Sequence, residues 1–317
     1  MSRPALRWVA PAGDAVPLAE RLGALGADAG AAVSEGRVFL DGRRAADTSE
    51  SVTPGAVLEV YARRIADGEV AILATHGGLV FAAKPAGMAT EPDHAGVGAS
   101  LTAHVAELLG EPRATLHALS RLDVGVSGVV TLARDAKARS LVEDLRERGR
   151  FVRRYVAMAV RAPEPATGEW SQPIGRGTNG RRRVGGEEAR PAVTRYASVA
   201  LAAAVRLAER GSTESARPAL LALAPVTGRT HQLRVHAAAA TAPLLGDATY
   251  GGPRRLLGND GSVHGLPRIA LHAALVELVI DGQLLHVEAP FPADLLALWQ
   301  TLGGEEAAWQ RAAELSL

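Results

Sequence analysis

Two short segments concentrate the side chains that could do chemistry. The first, Ser120-Arg121-Leu122-Asp123-Val124-Gly125-Val126-Ser127-Gly128, sets a base and an acid two residues apart beside a glycine-marked bend that leads into an apolar run. A carboxylate in such a bend can be presented in a cleft as a nucleophile or general base. The plainer reading makes Arg121 and Asp123 loop charges and Ser127-Gly128 a turn. A serine-hydrolase elbow is excluded, because Val129 stands where Gly-x-Ser-x-Gly needs its last glycine and a strand pattern follows instead of a helix.

The second segment, Thr227-Gly228-Arg229-Thr230-His231-Gln232-Leu233-Arg234-Val235-His236, packs two Arg, two His, two Thr and a Gln into ten positions. His231 and His236 are five apart, about 140° on a helix and on opposite faces of a strand, so no metal site is expected from them. Arg234, between Leu233 and Val235 on a predicted helix, is expected to be partly buried and to need an anionic partner, with Asp123 the candidate.

Composition narrows the chemistry. The 317 residues contain no cysteine, which removes disulfides, thiolate zinc sites, iron–sulfur clusters and thiol nucleophiles. Gly-Lys-Ser/Thr phosphate loops, a Gly-x-Gly-x-x-Gly turn and His-Glu-x-x-His are absent too, so neither a nucleotide cofactor nor a metal is expected. No apolar run reaches the roughly 18 residues of a membrane span, and the N-terminus lacks a secretory core, so a cytoplasmic protein without membrane association is expected.

A net charge of +1 means that any anionic partner must be held by local patches. Lys84 and Lys137 are the only lysines. Two arginine-rich stretches stand out: 146–154, with five Arg against Glu147, interleaved by Phe151 and Tyr155; and 176–190, with five Arg against Glu187 and Glu188 and including Arg181, Arg182 and Arg183. Arginines among aromatics suit looped or single-stranded RNA, whose bases stack while its phosphates pair; a solvated helix end gives the same charge.

The elements that must position these groups read as α+β, with a mixed, largely antiparallel central sheet and flanking helices. Residues 1–68 are expected to form a small N-terminal unit: a helical stretch Leu18–Val33, strands near Arg37–Leu40 and Val57–Tyr61, and turns at Asp41-Gly42 and Pro54-Gly55. Residues 69–317 form the main domain. It opens with a hairpin, Val70–Ala74 and Leu79–Ala83 about His76-Gly77-Gly78. A strand at Val129–Ala133 leads to a helix capped by Asp135 and stopped by Gly149, then a strand at Phe151–Val160. The Gly-, Pro- and Arg-rich segment 161–192 reads as a functional loop region, and Thr194–Leu207 as either helix or strand. Further on come a strand at Pro218–Ala224, a helix at Thr230–Ala240, a hairpin about Asp281-Gly282 and a helical tail from Ala293.

With these residues in view, Ser120–Gly128, Tyr155 and Thr227–Gly251 together resemble the RluA-type RNA pseudouridine synthases. Arg121-Leu122-Asp123 with Ser127-Gly128, the whole of Thr227–His236, Gly246-Asp247 and Tyr250-Gly251 carry the likeness; Lys84-Pro85-Ala86-Gly87 and Arg268–Ala273 are similar to an entry motif and a late strand. Ser120 and Val126 depart from the family's His and Thr. The resemblance implies a pseudouridine synthase fold and the isomerisation of uridine to pseudouridine in structured RNA, ribosomal sooner than transfer, by a monomer without cofactor. It implies Asp123 as catalytic aspartate, Arg121 holding the nucleotide, Tyr155 stacking on the uracil and Arg234 pairing with Asp123. Lys84, Arg229 and His231 are then supporting positions, and Arg181, Arg182 and Arg183 candidates for the RNA backbone. The two departures leave open a catalytically inactive RNA-binding relative. Residues 17–63 are similar to a small ribosomal-protein-type RNA-binding domain whose basic helix is here replaced by Gly26–Ala32, which implies a retained fold with weakened affinity.

Overall fold

The computed structural model describes residues 6–24, 29–34, 38–60, 69–92, 100–112, 115–207, 215–258, 261–280 and 282–317. The connector 64–68, residues 35–37 at the entry to the expected N-terminal strand, Gly26–Asp28 and Asp281 lie outside them. The chain divides into two compact units, one of Met1–Leu122, Gly128–Val152 and Leu275–Pro290, the other of Asp123–Ser127, Arg153–Ala274 and Phe291–Leu317.

In the first unit the N-terminal segment forms a four-stranded antiparallel sheet in the order Leu6–Val9, Val57–Val60, Val38–Leu40, Arg43–Arg44. Asp41 and Gly42 both adopt positive φ, 48° and 76°, which is the two-residue turn whose twist matches the flanking strands. The stretch expected as one helix contains two, Leu18–Ala24 and Ala29–Ser34, and the first buries Leu18 and Leu22 completely, one turn apart.

The same unit holds the hairpin of Ala71–His76 and Leu79–Lys84, turning at Gly77 and Gly78, and Gly128–Ala133 pairs antiparallel with Leu79–Lys84. Asp135 caps helix Ala136–Glu147 through a 2.7 Å bond to the Ala138 amide, and Gly149, at φ 66°, lets the chain turn away. Ala138, Val142 and Leu145 form the helix's apolar stripe, in a core that includes Leu79, Phe81, Val129 and Phe151. Residues 275–280 pair antiparallel with Gln283–Glu288.

In the second unit Thr167–Trp170, Thr194–Leu201, Ala219–Pro225 and Phe151–Ala159, the last from Arg153 onward, are sheet neighbours in that order, all antiparallel. The ambiguous segment 194–207 thus contains two strands and no helix: Thr194–Leu201, paired with Ala219–Pro225 across a bulge at 198–200, and Val205–Leu207, paired with Ser215–Ala216 and Arg255–Leu257. Val156 and Met158 point to a core shared with Trp299 and Trp309 of helices Ala293–Thr301 and Ala307–Glu314. By strand alternation Arg153 and Tyr155 face the other way. The Gly-, Pro- and Arg-rich region 161–192 contains a small antiparallel sheet of its own, Ile174–Arg176 flanked by Arg182–Val184 and Glu187–Arg190. The ensemble is α+β with mostly antiparallel sheets.

Candidate active site

Asp123 opens a tight turn in the second unit, closed by the Val126 amide donating to the Asp123 carbonyl at 2.9 Å. Gly125 passes so near Ile269 that an added Cβ would touch its side chain at 3.4 Å. Just downstream, the Ser127 hydroxyl accepts from Arg268 Nη1 and is hydrogen-bonded to His272 Nδ1, both at 2.9 Å. Arg268 is itself fixed by both oxygens of Asp294 (2.6 and 2.8 Å). Burial raises the Asp294 pKa, but the guanidinium outweighs it and holds the carboxyl below its ordinary range. The loop is therefore stapled at its C-terminal end, a prerequisite for presenting a carboxylate in one direction.

Facing it is helix Gln232–Ala239, started by a polar clasp. The Thr227 hydroxyl donates to Gln232 Oε1 (2.7 Å) and accepts from the Val193 amide (2.9 Å); Gln232 Nε2 donates to the Val193 carbonyl and the Thr194 hydroxyl. His236, one turn on, accepts from Thr194 at Nδ1 and donates to the Gln172 carbonyl through Nε2, and burial holds its pKa low, so it is a neutral packing residue. The two histidines diverge as their spacing requires, and no cluster of three metal-ligating side chains occurs among the described residues.

Arg234 lies on the buried face of this helix, 5% exposed. Its Nε and Nη2 donate to the two oxygens of Asp247, each at 2.7 Å, and its Nη1 donates to Asp123 Oδ2 at 2.8 Å. Desolvation works against the cation, yet the bonds to both carboxylates raise its pKa, so it is permanently charged. Tyr250 covers the guanidinium, its ring centroid 4.8 Å from Cζ. Asp247, 1% exposed, follows Gly246, whose φ is 77° and where any Cβ would fall 1.9 Å from the Arg268 carbonyl oxygen. Only glycine fits there, which explains the Gly-Asp pair.

Asp123 is 27% exposed, and among the described residues no donor bonds its Oδ1. His231 Nε2 approaches that oxygen at 3.8 Å. The arrangement is a carboxylate with one oxygen tied to a buried cation and the other open, suited to attack on carbon or to proton removal.

Of the residues expected at a site, Asp123, Arg234 and His231 converge here. Arg229 is half-buried and donates through Nε to the Pro191 carbonyl. Tyr155 is 6% exposed and paired in register with Leu223. Arg182 brings its backbone amide to the Tyr250 hydroxyl (3.0 Å), while Arg181 and Arg183 are exposed. Lys84 and Arg121 belong to the first unit. Lys84 is buried and donates to the carbonyls of Pro85 and Met88; Arg121 pairs with Glu91 at 3.7 Å. Phe151 does not interleave the basic stretch as a stacking platform: it is buried, with Arg146 over its ring at 4.7 Å, because it faces the core of its strand. Sequence reasoning placed Asp247, Tyr250, Ser127, Arg268 and His272 in motifs without giving them roles; the pairing of Gly246 with Asp247 was the available signal.

Residues 78–239 match the family described as RNA pseudouridylate synthase. The chain is 36% identical over 243 residues to "Uncharacterized RNA pseudouridine synthase YhcT" of Bacillus subtilis (strain 168), covering 74% of this chain and 72% of that protein. It belongs to the RNA pseudouridine synthases. The RluA-type resemblance accords with "Ribosomal large subunit pseudouridine synthase D" of Xanthomonas campestris pv. campestris, 34% identical over 246 residues, 74% of this chain and 68% of that one. The solved "Human RNA Pseudouridylate Synthase Domain Containing 4" superposes with a TM-score of 0.54 at 23% identity, over 73% of this chain and 92% of that one, a likeness of fold. The family match takes in this pseudouridine synthase's Asp123 and Arg234 and ends before Asp247 and Tyr250, which complete the cluster.

Proposed function

We propose that this pseudouridine synthase modifies ribosomal RNA and that Asp123 is its catalytic aspartate. The observation that carries the reading is the half-engaged carboxylate: Oδ2 held by buried Arg234, Oδ1 open. The reaction breaks the bond between ribose C1′ and uracil N1, joins C1′ to C5, releases the C5 proton to solvent and protonates N1. It is redox-neutral. Oδ1 can open it by attacking C1′, by adding to the ring or by taking the 2′ proton, and each route asks for an ionised carboxylate beside an opposite charge.

The target base must leave its stack first. In this reading Tyr155 and Arg121 contact the extruded nucleotide, Arg229 and Lys84 support their loops, and Arg181, Arg182 and Arg183 track the phosphates. Residues 1–68 form a small domain with weakened RNA affinity, residues 69–317 the catalytic domain, and the protein works as a cytoplasmic monomer. A role in ribosomal RNA is supported by the Xanthomonas relative, which is named for the ribosomal large subunit.

Total RNA tritiated at uracil C5, from a strain lacking the protein, provides the test. Wild type is expected to release tritium and Asp123→Ala to release none while still binding RNA. Release by Asp123→Ala, or none by wild type, would overturn the assignment.

A further inference from the structure

Beyond the carboxylate and its cation, a chain of polar contacts in the second unit leads from the backbone of Arg182 to Asp123. The Arg182 backbone amide donates to the Tyr250 hydroxyl at 3.0 Å. The Tyr250 hydroxyl lies 2.7 Å from His231 Nδ1. His231 Nε2 lies 3.8 Å from Asp123 Oδ1, the oxygen that Arg234 leaves open. Because the tyrosine oxygen already accepts from Arg182, its own proton is free to go to Nδ1, which leaves the imidazole proton on Nε2, directed at Asp123.

The backbone at His231 supports a role of this kind. It sits at the N-cap of helix Gln232–Ala239 with φ 59° and ψ 18°, a left-handed conformation that a non-glycine residue adopts at a cost. That conformation aims the ring away from the helix and toward Asp123 and Tyr250. The rings of His231 and Tyr250 meet edge to face, centroids 5.6 Å apart, while the face of Tyr250 also covers Arg234. The charged groups around the imidazole are Asp123, Asp247, Arg234 and Arg182. Burial is the largest influence on it and lowers its pKa, which keeps the ring neutral and the Nε2 proton in place near pH 7.

We propose that Tyr250 and His231 are positioning residues for Asp123. They hold its open oxygen in the reactive rotamer and tie that rotamer to the backbone of the arginine-bearing strand Arg182–Val184, so that RNA seated on this strand tightens the site. The inference rests on the assignment of Asp123 above. Arg234 fixes one oxygen from the helix, and His231 limits the swing of the other; Tyr250 sets the tautomer that makes this possible. The flanking Arg181 and Arg183 are exposed, so docking on this strand acts on the same backbone that donates to Tyr250.

The test is single-turnover tritium release, with enzyme in excess over C5-tritiated RNA from a strain lacking the protein, alongside nitrogen-15 NMR of the histidine rings. Tyr250→Phe is expected to lower the saturating rate about tenfold while the half-saturating enzyme concentration stays within about twofold. It should also convert the His231 signal from a pure Nε2–H tautomer to a mixture. His231→Gln, whose amide can reach the same oxygen, should retain more activity than His231→Leu. The double variant Tyr250→Phe/His231→Leu should be no slower than His231→Leu alone, since both act on one rotamer.

Additive losses, a change confined to half-saturation, or an unchanged tautomer in active Tyr250→Phe would overturn the positioning role and leave Asp123 as assigned. A wild type that releases no tritium would instead overturn the assignment itself, and this inference with it.

Discussion

Arg234 and Asp247 form a closed two-bond clamp, Nε on one carboxylate oxygen and Nη2 on the other, both at 2.7 Å and both buried. The clamp consumes two arms of the guanidinium and fixes its plane, so that a single arm remains for Asp123. Asp247 therefore sets the direction from which the Asp123 carboxylate is held, while being almost fully buried itself.

Removing Asp247 is expected to cost both stability and turnover. Asp247→Ala leaves a buried arginine half paired, a change worth about 3–5 kcal/mol in comparable sites. Thermal unfolding should register the loss. Tritium release at a temperature where the variant is still folded should fall by roughly a hundredfold. Asp247→Asn, which keeps one acceptor oxygen, should lie between the two. Wild-type activity in Asp247→Ala would show that the clamp does not orient Arg234.

Gly246→Ala tests the turn that delivers this aspartate. The new methyl would meet the Arg268 carbonyl at 1.9 Å in a backbone of positive φ, so the 246–247 or the 268–269 segment must move. A destabilisation of about 2–4 kcal/mol is expected in chemical denaturation. Activity should drop further than stability accounts for, because Arg268 also holds Ser127 at the end of the Asp123 turn.

Charge reversal at Arg181, Arg182 and Arg183 should weaken RNA binding without abolishing the fold. These side chains stand at or near the surface of a small sheet, and the Arg182 contact to Tyr250 uses the backbone. The slope of log affinity against log salt should fall by about 2, near the 0.7–0.9 expected per lost phosphate contact if all three touch RNA. An unchanged slope in a filter-binding series would place the RNA track elsewhere.

A pH effect on stability is expected from the first unit. His286 lies directly across from Glu277 in its hairpin and bonds Glu277 at 3.0 Å and Glu288 at 2.7 Å. Burial disfavours the imidazolium, but the two carboxylates more than offset it and push its pKa up to about 9. A histidine whose folded pKa is raised contributes stability that is complete below its ordinary value of 6.5 and fades as pH climbs through about 9. The melting temperature should thus fall by several degrees between pH 6.5 and 9.5. His286→Gln should start lower and show a flatter profile over that range.

Much of this was legible in the sequence where one residue type has one physical reason to be there. Asp135 and Gly149 bound a helix, Asp41-Gly42 turns a hairpin, and Arg234 between apolar neighbours demanded a carboxylate; in each case the local chemistry admits few alternatives. The segment 194–207 was ambiguous because its strand character comes from pairing with partners distant in sequence, Ala219–Pro225 for its first strand and Arg255–Leu257 for its second, which periodicity does not reveal. Phe151 read as available for stacking because charge and aromatic content carry no record of which face of a strand turns inward. The second carboxylate on Arg234 escaped for a related reason: Asp247 is delivered by a close backbone approach at Gly246, and such contacts have no sequence spacing.

The sequence separation of 111 positions from Asp123 to Arg234 also bears on how the protein comes into being. A chain made from its N-terminus presents the Asp123 turn long before it presents the cation that completes it, and the clamp needs Asp247 as well. A nascent or prematurely terminated chain therefore carries an aspartate with nothing to hold it, and closing so long a loop is left to the end of folding. The three-residue cluster is thus assembled as one late event, once both later segments have been made.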